Sequence, residues 1–412
     1  MKTLVKNIKE LVQVETNPRL RVCGRDMAHL DTIKEAYLIV DGDRIAEFGP
    51  MSQLKEQNFD KVVDATGRML FPSFCDSHTH MVYAGSREIE YIDKIRGLSY
   101  DEIAKRGGGI LNSAKRVQDA SENQLYEDAM ERLEMMIGFG TGAVEIKSGY
   151  GMTTEAEMKM LRVIRRLKEN SPLTIKSTLL GAHGIPMEFR GRQEKFVDLV
   201  INEMIPQAAS EGLADYIDVF CDEGFFTCED TERMLEAGAK YGMRPKIHAN
   251  EMACSGGIQV AVKYNALSCD HLEFTGDAEI ECLLHSETMP TVLPGAAFFL
   301  NMQHAPVRKM MDAGLGVAMS SDYNPGSSPS GNMQLILSMA CVNYRMLPEE
   351  AINATTINSG YAMGVSDQLG SIAVGKKANF YITKPIPTYE YMPYAYGENK
   401  VQWAFLNGVQ VR

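Results

Sequence analysis

The chain has no run of eighteen or more apolar residues, so no membrane-spanning helix is expected. Its start, Met1-Lys2-Thr3-Leu4-Val5-Lys6, is broken by lysines before a signal-peptide core could form. The eight cysteines, at 23, 75, 221, 228, 254, 269, 282 and 341, include no CxxC pair, and a chain of 412 residues does not depend on disulfides to fold. Free thiols in a reducing cytoplasm are the expectation. Basic charge is not in excess either: the net charge of −12 argues against a nucleic-acid or anionic-membrane partner. What remains is a composition ordinary for a soluble globular protein, 45% hydrophobic and 23% charged, at a length beyond one usual domain.

From about residue 70 to 345, short β-branched runs alternate with amphipathic ones. The predicted strands are Leu70 to Asp76, Gly142 to Lys147, Leu173 to Leu180, Tyr216 to Cys221, Arg244 to Ala249, Ala266 to His271, Thr288 to Leu293 and Gly316 to Ser321. Helices are expected over Thr154 to Glu169, where Thr154 and Glu157 have capping-box spacing, and near 191–209 and 229–241. Eight βα units predict a (β/α)8 barrel, with a doubly wound open sheet as the alternative. The barrel is favoured because His78, His80, Lys147, His183, Asp222, Glu223, His248, His271 and Asp322 all fall at or just past strand C-terminal ends. A barrel brings those ends to one mouth, whereas an open sheet spreads them along an edge. The flanks read differently, as short strands (Ala36 to Val40, Arg44 to Gly49, Ala378 to Ile382, Val401 to Val411) with Asn407-Gly408 as a hairpin turn. Neither flank suffices for a stable sheet. The expectation is therefore one β-sandwich from residues 1–67 and 366–412, with the barrel over 68–365 inserted between them.

The most telling stretch is Asp76-Ser77-His78-Thr79-His80-Met81. Histidines at i and i+2 on an extended segment point the same way and can offer ring nitrogens to one ion. His248 and Asp322, each at or near a later strand end, complete a set of three imidazoles and a carboxylate suited to zinc or iron. A metal there lowers the pKa of a bound water to about 7. Glu251, in the His-x-x-Glu of 248–251, is the expected base, and His271 the donor to a developing oxyanion or else an orienting partner of a ligand. Lys147 is given a charge-balancing or structural role beside one metal, with a carbamylated bridge between two ions left open. His29 and His285 read as ordinary residues, and His304 is unassigned.

In this order, the HxH, the His-x-x-Glu, the later His and the Asp resemble the amidohydrolase superfamily. Gly370 to Asn379 is similar to its closing motif, with Asn379 where an Asp is common. Longer strings narrow the resemblance: Arg96 to Ile103 running to Gly107-Gly108-Gly109-Ile110, Glu145 to Gly151, Gly181-Ala182-His183 and Asp322 to Ser327. They are similar to members that hydrolyse the cyclic amide of 4-imidazolone-5-propanoate to N-formimidoyl-L-glutamate in histidine degradation. The resemblance implies one Zn2+ or Fe3+ per subunit on His78, His80, His248 and Asp322, and a homodimer. It implies substrate contacts from Arg87, Tyr150, His183 and Glu251, with Asn324, Gly326 and Ser327 holding substrate or product. Arg87 suits a propanoate, and the turn at 324–327 is expected to offer backbone N–H groups. A sister deaminase of a purine or pyrimidine, and a non-catalytic metal-binding scaffold, are the alternatives. A neutral base would give Arg87 no carboxylate to bind, and a scaffold has no use for Glu251.

Overall fold

The computed structural model describes residues 1–98 and 108–412. The predicted motif residues Ser99 to Gly107 lie outside the described residues. Two eight-stranded sheets organise the chain. The first is built from both ends: β1 (Lys2–Val12), β2 (Thr32–Asp41), β3 (Arg44–Pro50), β4 (Lys61–Asp64) and β5 (Met69–Pro72). Three later strands, β14 (Phe380–Thr383), β15 (Val401–Leu406) and β16 (Val409–Gln410), extend it from the edge of β5. β1 holds it together, because its first half pairs with β4, its second half with β5, and its opposite edge with β2. A register break between Val5 and Ile8, with Asn7 at φ 57°, bends the strand between those partners. The two ends thus form one hydrogen-bonded sheet, and its bend encloses a separate core that includes Val5, Ile8, Leu38, Phe380 and Phe405. Asn407 and Gly408, at φ 50° and 77°, make the expected hairpin turn between β15 and β16.

The second sheet is all parallel: β6 (Phe74–Thr79), β7 (Thr141–Lys147), β8 (Thr174–Ala182), β9 (Tyr216–Cys221), β10 (Arg244–Ala249), β11 (Ser268–His271), β12 (Met289–Val292) and β13 (Ala318–Met319). Each strand pairs with the next in sequence, and helices such as Thr154–Asn170, Cys228–Ala239 and Asp277–Leu284 run between them. The ring closes where Thr79 bridges Tyr323, flanked by hydrogen bonds from His80 N to Tyr323 O (2.9 Å) and Asp322 N to His78 O (3.0 Å). This is the predicted (β/α)8 barrel.

The expected strand Leu70 to Asp76 is two strands in two sheets. Pro72 has no N–H, Ser73 N donates to Asn379 O in the end sheet, and Phe74 N donates to Gly140 O at the barrel. The apolar run is continuous in sequence, but successive donors turn to different partners. Tyr381 seals the junction, stacked 5.2 Å from both Phe71 and Phe74. Gly140, at φ 96°, is needed there, since a Cβ would sit 2.8 Å from the Tyr381 ring. No described helix is long and apolar enough to cross a membrane.

Candidate metal centre

Strand alternation carries five of the eight histidines to the barrel mouth. His78 and His248 are the penultimate residues of β6 and β10 and His271 ends β11, while His80 and His183 follow β6 and β8. His78 Nε2 lies 3.1 Å from His80 Nε2 and 3.6 Å from Asp322 Oδ1. His80 Nε2 lies 3.7 Å from the same oxygen and 3.4 Å from His248 Nε2. Ligands placed about 2.1 Å from a tetrahedral zinc stand about 3.4 Å apart, so His78, His80 and Asp322 fit around one ion, with His248 beside His80. Their chemistry fits as well. Burial, with Lys147 and the neighbouring histidines, holds His78 and His80 well below the usual imidazole range, which leaves them neutral. Burial followed by Glu251 pushes Asp322 well above the carboxylate range, a cost that a cation would remove.

Beneath the donors lies a layer of charge in the barrel interior. His78 Nδ1 donates to Asp270 Oδ2 at 2.6 Å, which leaves Nε2 unprotonated for a metal. His248 Nδ1 stands 3.0 Å from Asp218 Oδ2. Lys147 Nζ contacts Glu145 (2.6 Å) and Asp218 (2.8 Å) and lies 3.8 Å from Asp270. Lys246 pairs with Glu145 and donates to Ser77 O at 3.0 Å. Every one of these charged side chains is fully buried. Burial opposes the Lys147 charge, but Asp218, Glu145 and Asp270 outweigh it and hold the ammonium protonated. Three carboxylate neighbours fit the charge-balancing role expected of Lys147.

Glu251 stands beside the donors, its Oε2 3.5 Å from His271 Nε2. Its loop is fixed by Asp222, which accepts from Glu251 N (2.7 Å) and Met252 N (2.9 Å). Burial, then the Asp222 charge, pushes the Glu251 carboxyl up to about 8. His271 is presented by a left-handed bend, with φ 86° at His271 and 73° at Leu272. The His183 ring stacks 4.9 Å from that of His80, and its Nδ1 donates to Gly149 O at 3.2 Å, which turns Nε2 away from that carbonyl. Tyr150 packs 5.4 Å from His183, ring to ring.

The expected capping box at Thr154 and Glu157 is not formed. Thr153 is the N-cap, and the fully buried Glu157 instead accepts from Gly149 N (2.9 Å), Gly151 N (2.6 Å) and Met152 N (2.9 Å). A signature read along one helix end serves the preceding loop, which carries Tyr150. The turn at 324–327 also differs from expectation. Asn324 Oδ1 accepts from Gly326 N (2.7 Å) and Ser327 N (2.8 Å), so the turn satisfies its own donors. Ser327 Oγ donates to Asp322 Oδ2 at 3.2 Å and helps to aim it.

Arg87 binds Glu90 through Nε (2.8 Å) and Nη2 (2.6 Å), and its Nη1 lies over Gly326, where any side chain would collide with it. The pair is largely buried, unlike an ordinary surface ion pair. His29 and His285 bind Asp31 and Glu281 at the surface, and His304 lies 3.4 Å from Asn343 Nδ2, outside the mouth. Sequence reasoning missed the roles of Glu145, Asp218, Lys246 and Asp270. The available signal was charge at alternate positions of otherwise apolar strands.

A sequence profile of the amidohydrolase family matches residues 69–411. An imidazolonepropionase of Christiangramia forsetii is 52% identical over 408 residues, covering 99% of each chain. One from Flavobacterium johnsoniae is 51% identical with the same coverage. Among solved structures, a triazine hydrolase from Arthrobacter aurescens superposes with a TM-score of 0.75 at 15% identity, over 100% of this chain and 94% of that one. A zinc-bound adenosine deaminase of Xanthomonas campestris gives 0.70 at 14%, over 99% and 92%. These two likenesses speak to the fold alone.

Proposed function

We propose, from the premise that the chain belongs to the amidohydrolase family and within it to the imidazolonepropionases, that it opens the ring amide of 4-imidazolone-5-propanoate with water. The product is N-formimidoyl-L-glutamate, and the setting is histidine degradation. The observation that supports the reading is the cluster of His78, His80 and Asp322 at a barrel mouth, with His248, Glu251 and His271 beside it.

A zinc or ferric ion held by those four side chains would supply Lewis acidity where the amide carbonyl and water meet. Glu251 takes a proton from the attacking water and returns it to the ring nitrogen as the C–N bond breaks and the C–O bond forms. His271 donates from Nε2 to the carbonyl oxygen as it gains charge. Arg87 pairs with the propanoate, and Tyr150 and His183 Nε2 fix the ring. Asn324, Gly326 and Ser327 form the floor against which Arg87 rests and the ligand carboxylate lies. A homodimer in a reducing cytoplasm is the proposed state; every cysteine is free.

The test is metal analysis of the purified protein together with spectroscopic measurement of imidazolone-propanoate loss. Arg87→Ala is expected to raise KM about 10- to 150-fold with kcat little changed, since a charge-assisted pair contributes about 1.5–3 kcal/mol. A fall in kcat at constant KM would remove Arg87 from carboxylate binding. Glu251→Gln should retain the metal and lose turnover; a wild-type kcat would exclude it as the base.

A further inference from the structure

At and beside His271, the barrel mouth holds three buried polar groups whose hydrogen-bonding atoms have no partner among the described residues. They are His271 Nδ1, both carboxyl oxygens of Glu273, and the Tyr344 hydroxyl. They come from the end of β11, the loop after it, and the end of the helix Met333–Tyr344. Glu273 and Tyr344 are 3% and 4% exposed. Orphaned groups at that depth are uncommon, and three together mark something the site uses. Glu273 Oε2 lies 3.9 Å from His271 Nδ1. Closing that gap to a hydrogen bond takes about 1 Å of movement about the soft terminal torsion of the glutamate.

Resting on the reading above, we propose that Glu273 is the positioning residue of His271. It donates its carboxyl O–H to Nδ1, so that the imidazole proton stays on Nε2, the nitrogen that faces the reacting carbonyl. A neutral imidazole has one N–H, and the partner of one nitrogen decides which nitrogen carries it. A carboxylate at Glu273 would accept from Nδ1 and strip Nε2 of its proton, whereas a carboxyl group does the reverse. The surroundings favour the carboxyl group: burial, then the charges of Glu251, Asp322 and Asp222, push Glu273 well above the ordinary range and outweigh the opposing pull of its own backbone N–H. The charged and titratable groups around it are His271, Glu251, Asp322, Asp222 and Tyr344; a cation on Asp322 would oppose their push, so the variants are compared in the zinc-loaded protein.

The experiment compares wild type, Glu273→Gln and Glu273→Leu as zinc-loaded proteins. An amide N–H can replace the carboxyl donor, and leucine cannot. Glu273→Leu is expected to lower kcat on the order of 10²-fold at unchanged KM and metal content, the usual effect of a lost oxyanion donor. Glu273→Gln is expected to stay within about fivefold of wild type and to lose the fall in kcat that ionisation of Glu273 produces at alkaline pH. Equal damage in both variants, a Leu variant within about twofold of wild type, or an alkaline fall that persists in the Gln variant overturns the assignment. Histidine 15N NMR of the substrate-free zinc protein, with the His271 signal identified by its loss in His271→Asn, separates this from the functional reading. Protonation at Nε2 in wild type and Glu273→Gln, giving way to a tautomer mixture in Glu273→Leu, supports the role. Protonation at Nδ1 in wild type overturns it whatever the substrate proves to be.

Discussion

Replacing Lys147 with methionine tests whether the buried charge layer holds the metal ligands in place. Lys147 Nζ faces Glu145 at 2.6 Å and Asp218 at 2.8 Å, all fully buried. At an effective dielectric near 20, each contact is worth about 6 kcal/mol before desolvation. Desolvation cancels much of that in the intact pair, but removing one partner leaves the other buried and uncompensated, at a cost of about 3–5 kcal/mol. Glu145 keeps Lys246 and a 2.7 Å bond from Thr178 Oγ1, so the burden falls on Asp218 and Asp270, which hold His248 and His78. Lys147→Met should therefore be less stable by about 3–5 kcal/mol, out of a total of roughly 5–15. It should also bind zinc about 10- to 100-fold more weakly, the usual effect of disturbing the groups behind metal ligands. Urea unfolding measures the first and competition with a chelator the second. Lys168→Met is the control: its pair with Asp215 spans 3.5 Å with half the lysine exposed, and its loss should cost less than about 1 kcal/mol. A Lys147 variant indistinguishable from this control, or a wild type that binds two equivalents of metal, would refute the reasoning.

Glu157→Gln should cost about 1–3 kcal/mol in stability and raise KM, because an amide cannot accept from all three N–H groups that hold the Tyr150 loop; unchanged KM would separate that loop from substrate binding. In metal-free protein, ionising Glu251 opposes folding, since its folded value is raised from 4.5 to about 8. Its contribution to stability is complete below 4.5 and lost as pH rises through 8, so Glu251→Gln should gain on wild type across that interval in parallel urea titrations. Turnover carries the opposite sign, as the base must be ionised: kcat/KM should fall at acid pH, with a midpoint at or below 8 once a cation is bound. Chelation should lower Tm, and zinc at a thousandfold excess over Kd should restore about 4 kcal/mol; a Tm indifferent to zinc would count against the site.

The placing of the candidate ligands at one mouth was legible because its signals are local: His78 and His80 are two positions apart at the end of β6, and His248 and Asp322 stand at or just past strand ends. The barrel followed from alternation, which is equally local. Three features were not legible, each for a physical reason. Met69 to Phe74 is one largely apolar run, and nothing in side-chain pattern says that Ser73 and Phe74 donate to different sheets. Thr154 and Glu157 have capping-box spacing, but the choice of a loop over a helix end is made by three N–H groups that the chain brings there only on folding. Glu145, Asp218, Lys246 and Asp270 read as isolated charges until the register places Asp218 beside Lys246 and Asp270 beside His248.

The ring of strands is thinnest at its seam, where β13 has two residues and a single bridge joins Thr79 to Tyr323. His78 and His80 stand on one side of that seam and Asp322 on the other; nearby Asp76 and Ser321, which hydrogen-bond across it, are 245 positions apart in the chain. A cation held there would act as a clasp, fastening the opening wall of the cylinder to its last. A polypeptide released before its final wall has formed would own three imidazoles yet lack both the carboxylate and the closed circumference. On the proposed reading, shape and reactivity would therefore mature together.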